Sequence, residues 1–206
     1  MHPLWSAIFG TAAPVEVEIG PGTGTFLLTA AGRWPGTNFF GVEHSHARAA
    51  RLEAAICERG LANARVVSAD AACVVSTLIP PDSVHAYHVY FPDPWWKRRH
   101  HRRRLFTPSF ATALARTLVP GGRVYVATDV DETFGLILDT LAGCGSFCHV
   151  AVAGPSRTAL TAFERKGLAR GATIKEASFI RELGCQTLPL SQHSSAAPIT
   201  PAESPS

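Results

Sequence analysis

Apolar residues recur along this chain in two rhythms, short blocks of five to seven and longer stretches with a helical period. Residues 15–19 (Val-Glu-Val-Glu-Ile) predict a buried strand. Gly20-Pro21-Gly22-Thr23-Gly24 breaks it, and an apolar run from Phe26 to Ala31 begins a helix. Residues 38–43 predict the next strand, followed by a helix with Ala49, Leu52 and Ile56 on one face, capped by Ser45 and stopped by Gly60. A third strand covers 65–69, a turn 78–83 and a fourth strand 84–91. A helix over 108–118, a Pro-Gly-Gly turn at 120–122 and a strand over 123–128 come next. Phe134, Ile137, Leu138 and Leu141 mark a further helix closed by Gly143, and residues 148–153 and 174–180 fit two final strands.

Strands alternating with helices imply an α/β fold, with a mostly parallel sheet covered by helices on both faces. In such sheets ligands bind beyond the carboxyl ends of the strands. Each strand end here carries an acid: Glu18, Glu43, Asp70, Asp129, and Asp93 just beyond the fourth. Glu43 follows the glycines by about 20 residues, the separation at which a carboxylate binds the ribose hydroxyls of an adenosine-containing cofactor. Asp70 has no job in a nicotinamide site, but it can accept from an adenine amino group. A rim of acids also suits a cationic ligand such as S-adenosylmethionine.

The 206 residues allow one well-buried domain, and 46% hydrophobic with 17% charged residues is a globular composition. Residues 15–184 are expected to form that domain, with a short segment 1–14 before it in which Leu4, Trp5, Ile8 and Phe9 are the packing residues. Residues 185–206, rich in Ser, Pro and Ala, read as a disordered tail. Five scattered cysteines without a Cys-x-x-Cys pair suggest reduced thiols and no metal site. With no signal-peptide pattern and no apolar stretch of membrane-spanning length, the expected location is the cytoplasm, with no membrane partner. His85 and His88 read as packing or edge histidines. No obligate protein partner is evident.

Charge changes the picture at one place. The formal net charge is only +3, yet Lys97, Arg98, Arg99, Arg102, Arg103 and Arg104 crowd one short run with His100 and His101, so the rest of the chain is net acidic. A local cationic strip suggests a polyanion docking there. It directly follows Phe91-Pro92-Asp93-Pro94-Trp95-Trp96, in which two prolines stiffen the backbone around one carboxylate.

The chain resembles the tRNA (guanine-N7)-methyltransferases, within the Rossmann-like class I methyltransferases, over about residues 15–181. The resemblance rests on Glu18-Ile19-Gly20 with the glycine turn, Gly41-Val42-Glu43, Phe91-Pro92-Asp93-Pro94-Trp95 with Lys97 and the basic run, Thr128-Asp129, and Thr161-Ala162-Phe163-Glu164. It implies a seven-stranded sheet, with S-adenosylmethionine held by Glu18, Glu43, Asp70 and Asp93 and the turn glycines Gly20, Gly22 and Gly24. It also implies that Asp93 is the catalytic aspartate. By the same resemblance, Lys97, Asp129, Thr161, Phe163 and Glu164 bind substrate. Arg98, Arg99, His100, His101, Arg102, Arg103 and Arg104 contact RNA. The implied substrate is the variable-loop guanine of tRNA. Ala162 stands where the family has lysine, residues 156–160 lack its usual proline, and Trp96 replaces its commoner proline or histidine. Relatives have a longer extension before the first strand. A catalytically impaired RNA-binding relative is the alternative that these departures suggest.

Overall fold

A computed structural model gives the fold and describes residues 2–95, 98–150 and 171–182, with only the backbone for Arg98, His101 and Arg102. Seven strands form one sheet: β1 (Val15–Ile19), β2 (Asn38–Glu43), β3 (Ala64–Ser68), β4 (Val84–Tyr90), β5 (Leu118–Thr128), β6 (Phe147–Val150) and β7 (Lys175–Arg181). Their spatial order is β3-β2-β1-β4-β5-β7-β6. Neighbours from β3 to β5 pair in parallel, and β7 runs antiparallel to both β5 and β6. The sheet therefore reverses outward from β1, with β2 on one side and β4 on the other. That junction is the switch point at which open α/β sheets bind ligands.

Period-two alternation assigns each strand residue to a face. Val17, Ile19, Val42, Tyr87, Val89, Val124, Val126 and Phe179 share one core with helices α1 (Pro3–Phe9), α5 (Pro108–Thr117) and α6 (Asp131–Gly143). Phe39 and Ala64 share the other with α2 (Thr25–Arg33) and α3 (His46–Glu58). Trp5 and Phe9 of α1 are buried, and Trp5 meets Phe40 edge-on. Of the packing residues expected in the first segment, Trp5, Ile8 and Phe9 thus join the main core, whereas Leu4 is not part of it. A short helix α4 (Ala71–Cys73) continues into a π-helical turn (Val74–Leu78) before the expected loop. Arg116 donates to the carbonyls of Val75, Ser76 and Ile79, satisfying the end of that turn.

Two local expectations are corrected. Pro120-Gly121-Gly122 does not precede the fifth strand but lies inside it, as an outward bulge between the pairs Val84–Leu118 and Ala86–Arg123. A Cβ on Gly122 would come within 2.8 Å of the Val119 carbonyl oxygen, so the bulge closes only around glycine. The side chain of Ser45 makes no cap hydrogen bond to α3; its own N–H instead donates to Glu43. The cysteines depart from expectation once. Cys57, Cys73 and Cys144 are free, but Cys148 is disulfide-bonded. Cys185, the tail, and part of the strand expected over 148–153 lie outside the described residues.

Candidate active site

Beyond the carboxyl ends of β1, β2, β3 and β4 lies a cavity of about 860 Å³. Glu18, Gly20, Gly22, Glu43, Asp70 and Asp93 all line it. Parallel pairing explains this convergence, because equivalent ends of adjacent strands open on the same edge. Each acid nevertheless sits differently.

Glu18 is 5% exposed, and its Oε2 is buried without a hydrogen-bond partner among the described residues. Burial pushes its pKa up to about 8; a backbone hydrogen bond at Leu27 pulls it down, and the Glu43 charge adds a push upward. Glu43 is equally buried but well satisfied. It accepts from Gly22 N–H at 3.0 Å and Ser45 N–H at 2.9 Å, with the Arg48 guanidinium 3.6 Å away. Gly22 has φ +57°, which points its N–H at the carboxylate and favours glycine. Glu43 is thus the brace of the glycine turn, and each of its oxygens keeps capacity for another donor. Asp70 is exposed and caps α4, with Oδ1 accepting from Cys73 N–H at 2.8 Å. Its second oxygen has no hydrogen bond among the described residues.

Asp93 sits exposed on the cavity wall between Pro92 and Pro94. The backbone on either side is strained: Phe91 has φ +52° and Trp95 has φ +44°. Aromatic residues occupy that region rarely, and each such residue costs about 1–3 kcal/mol. Phe91 N–H is anchored to the Ala127 carbonyl at 2.8 Å. The carboxylate is therefore held by a loop with little conformational freedom.

Other predicted site residues fall elsewhere. Gly24 does not line the cavity; it sits at the N-cap of α2 with φ +76°, and a Cβ there would lie 2.2 Å from a Leu52 methyl. It is a packing glycine, and helix approach decides its identity. Asp129 stands exposed after β5, on the same edge but outside the lining. Arg104 is turned inward, only 17% exposed and bonded to Glu132 of α6, so it ties the basic segment to the body. Residues Arg98–Arg103 form a 3-10 helix, in which Arg99 is exposed and donates to the His100 ring. Lys97, Trp96, Thr161, Phe163 and Glu164 lie outside the described residues.

The cavity also recruits Trp95, which sequence reasoning did not rank as a site residue, and Arg103, expected only to contact RNA. Both line it, with the guanidinium 5.1 Å from the indole centroid. His100 meets the same indole edge-on. Tyr90 and Arg48 also line the cavity. Only the adjacency of Trp95 to Asp93 hinted at this, because a tryptophan before a basic run is as often a core residue.

A family model described as putative methyltransferase matches residues 12–177. A tRNA (guanine-N(7)-)-methyltransferase of Burkholderia mallei is 38% identical over 181 residues, covering 86% of this chain and 69% of its own. One from Bordetella parapertussis is 41% identical over 179 residues, covering 85% and 70%. The chain belongs to the tRNA (guanine-N7)-methyltransferase family. Solved structures of lower identity share the fold of this family member. TrmN from Thermus thermophilus superposes with TM-score 0.61 at 18% identity, covering 87% of this chain and 47% of its own. The aminoglycoside resistance methyltransferase NpmB1 gives 0.59 at 17%, covering 86% and 92%. The fold is thus the Rossmann-like class I methyltransferase fold. Among the described residues no helix is long and apolar enough to cross a membrane.

Proposed function

We propose that this protein transfers the methyl group of S-adenosylmethionine to N7 of the variable-loop guanine of tRNA, in the cytoplasm. The observation that carries this reading is one cavity that joins four strand-edge acids to an indole–guanidinium pair at its side. Its residues fit the donor. The unpartnered Oε2 of buried Glu18 suits an ammonium group, the spare acceptor capacity of Glu43 suits a ribose diol, and the second oxygen of Asp70 suits an adenine amino group. When bound, the donor supplies an electrophilic methyl on a sulfonium.

Guanine N7 is a lone pair with no proton to lose, so no strong general base is required. Asp93 instead accepts from N1–H and the exocyclic amino group on the far edge of the ring, which selects guanine and directs N7 inward. Glu164 is the other acid proposed for that edge. Orientation of this kind supplies roughly 7–11 kcal/mol. A carboxylate beside the ring also stabilises the positive charge that grows on it. Arg103 and Trp95 offer a flat cationic surface on which an unstacked base can lie.

The direct experiment incubates the protein with tritiated donor and unmodified tRNA, then maps N7-methylguanine by its labile glycosidic bond. Label should concentrate at a single variable-loop guanine. Transfer that ignores RNA, or RNA binding without transfer, would reject this function. Phosphate contacts by the basic segment give affinity without sequence information. If about four of its cations other than Arg104 neutralise phosphates, log K against log salt should fall with a slope of about −3. Filter binding across a salt series measures it, and a flat line would remove the segment from the RNA interface.

A further inference from the structure

Under the cavity lies a hydrogen-bonded chain that neither the fold nor the acids require. Glu16 of β1, and His88 and Tyr90 of β4, share one sheet face with Glu18, which is paired in register with His88. His88 Nε2 lies 2.7 Å from Glu16 Oε2, and its Nδ1 lies 2.9 Å from the Tyr90 hydroxyl. Because a carboxylate only accepts, Nε2 carries the proton. In the neutral ring Nδ1 is then an acceptor for the Tyr90 hydroxyl. The imidazole is 4% exposed and sandwiched, its centroid 4.4 Å from Phe26 and 5.2 Å from Tyr125, with the latter ring only 11° from parallel. Tyr90 also meets Phe26 edge-on at 5.2 Å. Its hydroxyl is therefore tied to His88, and Tyr90 itself lines the cavity.

Burying an imidazole costs free energy unless its nitrogens are hydrogen-bonded, and an apolar side chain in this place would avoid that cost. A locked ring in a donor cavity has a chemical use. An aromatic ring attracts a cation at its face through its quadrupole and has no such attraction for a neutral group. The two ligands that alternate in the proposed reaction differ in that respect, one a sulfonium and the other a thioether.

We propose that Tyr90 discriminates the cationic methyl donor from its neutral demethylated product, and that His88 and Glu16 are positioning residues for its ring. This rests on the donor assignment above. Calorimetry of S-adenosylmethionine and S-adenosylhomocysteine binding tests it on the full chain without any turnover. Tyr90→Leu should weaken donor binding about tenfold more than product binding. Tyr90→Phe keeps the ring but loses its latch to His88, so it should reduce the discrimination about threefold and no further. Should Tyr90→Leu fold poorly, pentafluorophenylalanine at position 90 keeps the shape and inverts the quadrupole; it should lower donor affinity alone. His88→Phe, which fills the same space without the latch, should reduce the discrimination about threefold. Equal losses for both ligands in Tyr90→Leu or the fluorinated protein would overturn the proposal. If the wild-type protein bound neither ligand, the donor assignment itself would fall and take this inference with it.

Discussion

Replacing Asp93 by asparagine should lower kcat about 100-fold to 1,000-fold at saturating tRNA, with donor affinity changed less than about threefold. The magnitude is that of removing one preorganised group facing developing charge, about 2.7–4 kcal/mol. Asparagine preserves shape and keeps one acceptor. It also places an N–H₂ where the guanine edge already offers donors, so selection and charge stabilisation fail together. The rigidity of the loop sharpens this effect. Pro92, Pro94 and the left-handed residues Phe91 and Trp95 leave the backbone few ways to re-aim the side chain. Asp93 is exposed, so its replacement should leave the melting temperature nearly unchanged. Single-turnover kinetics with tRNA in excess measure the effect, and wild-type turnover in Asp93→Asn would remove this residue from the chemistry.

Donor affinity should also depend on pH through Glu18. In the empty protein burial holds its pKa near 8, above the ordinary value of 4.5. The neutral acid is therefore the resting form at pH 7. Pairing with a ligand ammonium needs the carboxylate, so binding releases a proton from Glu18. The apparent affinity should then rise about tenfold per pH unit up to about pH 8 and level off above it. The ammonium of the ligand titrates too, but that contribution is common to wild type and Glu18→Gln. The difference between their calorimetric pH profiles belongs to Glu18, and identical profiles would refute the assignment. Stability has the opposite sign. A carboxyl with a raised folded pKa contributes fully below the unfolded pKa, and this contribution is lost as pH rises from about 4.5 through about 8. Glu18→Gln should accordingly melt higher than wild type at pH 9 in the absence of ligand, although it binds donor more weakly.

The same buried position that gives Glu18 its pKa was only half legible in the chain. Strand ends and their acids follow from local patterning, and the spacing between Gly22 and Glu43 already suggested a nucleotide-binding turn. That Glu43 braces this turn through Gly22 N–H, while Glu18 is left with an unpartnered oxygen, depends on distances across the sheet. Arg104 shows the limit in another way. It is the last of six cations in one run, and nothing within the run distinguishes it from Arg103. The proximity of Glu132, 28 residues onward, turns one inward while the other stacks on Trp95. His88 was legible as a packed histidine, but the hydrogen-bonded chain through it joins residues 72 positions apart.

From sequence alone came the α/β alternation, the acids at the strand ends, the stiff Pro-Asp-Pro loop and the cationic run after it. Each is encoded in neighbouring residues, through periodicity, glycine and proline geometry, or local charge density. Tertiary structure alone decided which acids keep free oxygens, which arginine faces out, why Gly24 is glycine, and that Tyr90 reaches the cavity with its hydroxyl tied down. Those outcomes depend on desolvation and on contacts between distant segments, and both arise only when the sheet brings the strand ends together.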